Sequence, residues 1–200
     1  MKQIKKANII VIEGPDRVGK FTQTHLLKET LTRQGFLATV VEVPIRSMVT
    51  YPIIYWMLRN GFAKKFPKIF QVLQFLNRKI FQEFSLKHLE ENYDFVIMDR
   101  WSLSTIVYGS AEGISRNFTI TLSNMLRQPD HTIILYGNSY LHEAEDVYEA
   151  DVELQKIVRF EYSSWAMKHP DTTTLIDCTK SKDVVAKNIK KALQIKNILP

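Results

Sequence analysis

The residues most suited to chemistry begin in "EGPDRVGKFTQ", positions 13 to 23. Gly14, Gly19 and Lys20 have the spacing of a phosphate-cradling loop, G-x-x-x-x-G-K followed by Ser or Thr. In such a loop, spanning 14–21 here, backbone N–H groups including that of Val18 surround phosphate oxygens, and the lysine reaches the β- and γ-phosphates. Phe21 stands where a hydroxyl would help hold magnesium, and Thr22 supplies a hydroxyl one residue later. Asp16 and Arg17 put a carboxylate and a cation inside the loop. A second group, "DRWSLSTIVYG" at 99–109, opens with Asp99 and Arg100 directly after an apolar run, and "VPIR" at 43–46 carries Arg46 to a similar place. Transfer of a phosphoryl group between two anions is mostly positioning and charge neutralisation, so cations arriving from separate stretches are what that chemistry needs. At the end of a strand, Asp99 can hold magnesium through a water and Arg100 can grip an acceptor phosphate.

The elements that would position these groups are visible as alternating patterns. Five short apolar runs, "NIIVIE" (8–13), "ATVVEV" (38–43), "DFVIMD" (94–99), "HTIILY" (131–136) and "TTLID" (173–177), are nearly continuous in hydrophobicity. That is the signature of strands buried on both faces, as a parallel sheet between helices requires. Between them lie helical patterns such as "THLLKETLTRQG", which sets Leu26, Leu27 and Leu31 on one stripe and stops at Gly35. The alternation predicts an α/β doubly wound domain, with ligands beyond the carboxyl ends of its strands. The loop follows a strand and opens a helix, the context in which its pattern carries weight. The lysine-spaced segment 182–196 predicts a final helix covering the sheet.

Composition narrows the classes. The 200 residues, 45% of them hydrophobic, suit a single domain over 1–200. Lys and Arg number 27 against 21 Asp and Glu, a net charge of +6 that suits a polyanionic partner or simply a basic surface. The one cysteine, Cys178, allows neither an internal disulfide nor a multi-cysteine metal site, so a cytoplasmic setting is expected. No apolar run reaches the ~20 residues of a bilayer-crossing helix, and no membrane association is expected.

At "EGPDRVGKFTQ" the chain resembles the thymidylate kinases, whose loop is similar to E-G-x-D-x-x-G-K-[ST]-T-Q. The resemblance continues through "VPIR", "DRWSLSTIVYG", "QPDHTIILY" (128–136) and "DVYE" (146–149) in the family's order. It implies a P-loop NTPase fold, a five-stranded parallel sheet sandwiched between helices with a short lid at about 138–150. It also implies phosphoryl transfer from ATP, with Mg2+, to a deoxynucleoside monophosphate, dTMP or a related pyrimidine. By the same resemblance Arg17 acts as an arginine finger supplied in cis, which fits a lid segment, "GNSYLHEAEDVYEAD", without Arg or Lys. Thr22 would lie near the α-phosphate, Asp16 near the acceptor's sugar and phosphate, and Arg46 on the monophosphate. Ser104, Tyr108 and Tyr148 would line the sugar and base sites, Arg78 would hydrogen-bond the base, and a homodimer is expected.

Gln74 falls where the family places a phenylalanine stacked on thymine, with Phe75 one residue away; a one-residue step turns a helical side chain by roughly 100°. Gln74 could hydrogen-bond a modified pyrimidine, or this helix could face the core. Residues 51–84 interleave aromatics with Lys and Arg, which suits packing against the core or a second subunit, a membrane surface, or stacked nucleic acid, a partner not expected here. Phe21 sets an active kinase, with water replacing the missing hydroxyl, against a catalytically impaired nucleotide sensor or structural homologue; a deoxynucleoside kinase is a further alternative. The retained set of Lys20, Arg17, Asp99 and Arg100 favours the active enzyme.

Overall fold

The fold is seen in a computed structural model that describes residues 6–137, 148 and 151–200. The expected lid, about 138–150, therefore lies outside the described residues apart from Tyr148. Five strands form one parallel sheet in the order β2-β3-β1-β4-β5: β1 (Asn8–Glu13), β2 (Ala38–Glu42), β3 (Phe95–Asp99), β4 (His131–Tyr136) and β5 (Thr173–Asp177). β1 occupies the centre, with Ile12 opposite both Asp99 of β3 and Ile133 of β4. All five apolar runs read from the sequence are strands. β2 stops one residue short of the expected end because Val43 precedes proline, although its N–H still donates to the Asp99 carbonyl at 3.1 Å.

Helices cover both faces. On one, α1 (Lys20–Arg33) and α9 (Lys182–Ile195) pack Leu27, Leu31, Val185, Ile189 and Leu193 against Ile10 and Ile12 of β1. On the other, Ile9 and Val11 meet Phe75 and Phe81 of α4 (Pro67–Phe81) and Trp101. The two-residue period of β1 thus feeds two separate cores. The second face is extended by α2 (Tyr51–Arg59), α3 (Phe62–Lys65), α5 (Lys87–Asn92), α6 (Ser102–Ala111), α7 (Arg116–Asn124) and α8 (Val152–Lys168), with a π-helical turn at Gln82–Leu86 joining α4 to α5. The aromatic segment 51–84 is divided: Phe70, Phe75 and Phe81 are core, whereas Trp56, Phe66 and Phe84 are exposed. No described helix is long and apolar enough to cross a membrane.

The connection from β1 leads over β3 to β2, and the connection from β3 leads back across β1 to β4. Their loops diverge, opening a crevice at the carboxyl ends of these two central strands, where ligands of such sheets bind. The phosphate-cradling loop and Asp99–Arg100 both border it. Between β1 and the loop, Gly14 has φ 144°, and a Cβ built there would lie 2.6 Å from the Leu135 carbonyl oxygen.

Gly35, at φ 88°, has open space around it. Gly14→Ala should therefore lower unfolding free energy by about 2 kcal/mol or more, from strain plus a clash with immovable backbone, and Gly35→Ala by only about 1 kcal/mol. Urea denaturation of the two variants measures the difference, and equal costs would contradict the close approach.

Candidate active site

The strand end that carries the loop is held by a carboxylate. Glu13, with no exposed surface, accepts hydrogen bonds from the backbone N–H groups of Trp101 (2.8 Å) and Ser104 (3.2 Å), and from the hydroxyls of Ser104 (2.6 Å) and Tyr162 (2.8 Å). Two of those donors are free N–H groups at the start of α6, which its own N-cap side chain leaves unbonded. Glu13 thus caps α6 from a strand almost ninety positions earlier in the chain.

Beside this hub the loop and the β3 end meet directly. The Arg100 guanidinium pairs with the Asp16 carboxylate, donates to the Gly14 carbonyl at 3.1 Å and reaches the Tyr108 hydroxyl at 3.3 Å. Asp16 also accepts from Tyr108 (2.6 Å) and from the side-chain amide of Gln155 (2.8 Å), whose carbonyl takes the Asp16 N–H at 3.3 Å. Burial works to raise the Asp16 pKa, but Arg100 and Lys20 outweigh it and hold the carboxyl below its usual range. Burial likewise opposes the charge on Arg100 and is outweighed by Tyr108 and Asp16, so that guanidinium stays protonated.

Lys20 is buried at the start of α1, and its ammonium donates to the Pro15 carbonyl at 2.5 Å. Desolvation, reinforced by Arg100, brings its pKa down to about 8. Burial raises the Asp99 carboxyl, a change that Lys20 and Arg100 partly offset. Arg17 and Arg100 have φ of 64° and 67°, and among the described residues Asn197 alone joins them as a non-glycine with positive φ. Holding a side chain there costs about 1–3 kcal/mol, strain that accumulates at functional sites.

A cavity of about 150 Å³ opens off this cluster, lined by Asp16, Arg100, Ser104, Tyr108 and Tyr148 and by Gln74 and Arg78 of α4. Tyr148 stacks on Phe70 with ring centres 5.6 Å apart, and its hydroxyl bonds Glu112. Arg78 donates to the Thr105 hydroxyl at 3.0 Å, and its pKa is brought down by burial to about 10, which leaves it charged at neutral pH. The structure thus gathers Asp16, Lys20, Asp99, Arg100, Gln74, Arg78, Ser104, Tyr108 and Tyr148.

Other expected site residues sit differently. Arg46 borders a second cleft of about 180 Å³ that shares Val43, Pro44 and Leu58 with the first; it is largely exposed, 3.8 Å from Glu42. Val18 turns its side chain into the core, leaving only its backbone for a ligand, and Thr22 is exposed. The Phe21 ring neither enters the core nor fills the loop: it is 56% exposed and lies against His25 with ring centres 4.2 Å apart. The "QPD" stretch is structural, since Asp130 accepts the Ile9 N–H at 2.7 Å at the start of β1. Sequence reasoning did not single out Glu13, Gln155 or Tyr162. For Glu13 a signal existed, a carboxylate closing an otherwise apolar strand; Gln155 and Tyr162 had none.

No cluster of three or more metal-ligating side chains occurs among the described residues. The donor set at the loop, one carboxylate at Asp99 and no hydroxyl at position 21, fits a magnesium ion that takes most of its ligands from phosphates and water.

Comparison with known proteins agrees with this geometry. The model of the thymidylate kinase family matches residues 12–189. A probable thymidylate kinase from Methanosphaera stadtmanae is 28% identical over 189 residues, covering 92% of this chain and 96% of its own. The structure of the Candida albicans thymidylate kinase superposes with a TM-score of 0.77 at 22% identity, over 96% of this chain and 93% of that one, a likeness of fold.

Two measurements check the site. Glu13→Leu strands the buried N–H groups of Trp101 and Ser104 and should destabilise the protein by about 3–5 kcal/mol in urea unfolding, with Glu13→Gln costing less. Lys20 is charged below its pKa of about 8 and neutral above it. In a pH profile kcat/KM for ATP, which reports the free enzyme, should accordingly fall as pH rises through that value. A profile level through that region would contradict the burial of Lys20.

Proposed function

The chain belongs to the thymidylate kinase family, and we propose that the residues gathered at its crevice carry out that family's phosphoryl transfer from ATP to dTMP. A phosphate oxygen of dTMP attacks the γ-phosphorus of ATP, the bond from that phosphorus to the bridging oxygen of ADP breaks, and dTDP and ADP result. The observation that carries the residue assignment is the Asp16–Arg100 contact, which fastens the donor loop to the end of β3 at the mouth of the cavity.

The N–H groups of residues 14–21 and the N-terminus of α1 cradle the donor phosphates. Lys20 exchanges its bond to Pro15 for the β- and γ-phosphates. Arg100 orients the acceptor phosphate, and Arg17, held in the left-handed region at the loop's apex, covers the transferring group. Asp16, fixed by Tyr108 and Gln155, positions the acceptor's sugar. Arg46 reaches the acceptor phosphate from the neighbouring cleft. Asp99 would hold Mg2+ through a water, and the ion would supply charge neutralisation to the donor phosphates. The exposed Phe21 leaves room for a water in place of the absent hydroxyl. The apolar side chains presented by α2 and α4, among them Ile53, Trp56, Ile69 and Leu76, support a homodimer.

A coupled ADP-release assay should give turnover with dTMP and none with thymidine, whose uncharged hydroxyl has no use for Arg46 and Arg100. ATP binding without turnover on dTMP would favour the impaired-homologue reading instead. Arg17→Ala should lower kcat by about 10³-fold or more. Phe21→Ser should reduce the magnesium concentration at half-maximal rate. Sedimentation should give twice the 23.3 kDa chain mass, and a monomer would remove the dimer.

A further inference from the structure

The face that α4 turns to the cavity consists of Phe70, Gln71, Gln74 and Arg78. Two of these polar groups are engaged: the Gln71 amide donates to Glu112 at 3.3 Å, and Nη1 of Arg78 to Thr105. Two are not. The Gln74 side-chain carbonyl oxygen and Nε of Arg78 are buried and have no hydrogen-bond partner among the described residues, although Arg78 is only 3% exposed. Residues four apart on a helix stand one above the other, so this open acceptor and open donor are neighbours on one wall. Each buried group left unpaired costs about 1–3 kcal/mol, so the wall favours a ligand that presents a donor next to an acceptor.

The imide edge of thymine and uracil has that arrangement, an N3–H flanked by carbonyl oxygens. Cytosine keeps the carbonyl at position 2 but has an accepting N3 and a donating amino group at position 4. Gln74 could turn its amide to meet either pattern, since its oxygen and nitrogen occupy nearly the same shape. Arg78 cannot, because a guanidinium has donors only: with N3 of the base set against Gln74 and ring position 4 against Arg78, the cytosine amino group would face it donor to donor. Phe75 offers no stacking surface here, since it is buried in the core beneath the sheet.

Resting on the thymidylate kinase reading above, in which Arg78 already meets the base, we propose that Gln74 is a specificity-determining residue that accepts the N3–H of the acceptor's pyrimidine imide in plane, beside Nε of Arg78 on the carbonyl at position 4. The base is then read by its edge from α4, and the residue at position 74 takes no part as a stacking platform.

The test is a two-by-two comparison of kcat/KM for wild type and Gln74→Ala on dTMP and on N3-methyl-dTMP, with thermal unfolding to verify that the variant is folded. For wild type, methylation should cost at least tenfold. Gln74→Ala should lose at least tenfold on dTMP yet show little further loss on the methylated substrate, because the group that met N3 has gone. Penalties that simply multiply would overturn the contact. Wild type should use dCMP at least tenfold less well than dTMP, and equal use would overturn the role of Arg78. A wild-type enzyme silent on dTMP would instead reject the underlying kinase reading, an outcome distinct from either.

Discussion

The crevice depends on a negative charge taken out of water at the end of the central strand. Removing a carboxylate from solvent costs several kcal/mol unless hydrogen bonds replace its hydration. Glu13 recovers that cost from two amides at the first turn of α6 and two hydroxyls. Because the amides belong to the segment after β3 and one hydroxyl to α8, the same carboxylate fixes three parts of the chain around the carboxyl end of β1. Arg100 lies immediately before the first of those amides. Its left-handed backbone follows from having its own N–H on Ile12 at 3.0 Å while the next N–H turns to Glu13.

With Arg100 so placed, the charges nearby fall into order. Asp16 must answer a guanidinium that cannot leave, and Tyr108 and Gln155 hold the carboxylate in register. Lys20, surrounded by little water, is attracted by Asp16 and Asp99 but repelled by Arg100, which explains an ammonium already close to giving up its proton. Anionic phosphate entering the loop would relieve that tension by restoring a counter-charge. The site is arranged so that the ligand completes the electrostatics, in keeping with chemistry that consists mostly of positioning charge.

Much of this was legible in the sequence, because strands buried on both faces must be continuously apolar and a glycine-rich loop between strand and helix has few other uses. Lys20 could be named from the loop's spacing, and Asp99 and Arg100 because strand ends define where ligands sit. What the sequence hid was pairing over distance. Nothing local marks Gln155 as the residue that brackets Asp16, and Ser104, read as a pocket residue, spends its hydroxyl on Glu13. Arg46 follows a strand end too, but β2 lies at the sheet edge, and that displacement puts it in the adjoining cleft. Asp130 resembled part of a functional motif, yet its carboxylate closes the open start of β1.

Phe21 shows why a motif letter and a motif function are separable. The work of such a loop is shared between backbone amides, which any residue supplies, and side chains, which only some residues do. A phenylalanine subtracts one oxygen from the magnesium shell and leaves the amides untouched, provided its ring has somewhere to go. Here the ring leans on His25 at the surface, and the His25 ring lies 2.9 Å from the Phe21 carbonyl oxygen, so the first turn of α1 keeps its shape around the replacement. Since magnesium binds readily through water and phosphate, the loss of a hydroxyl would fall on metal affinity and leave the cradle itself standing.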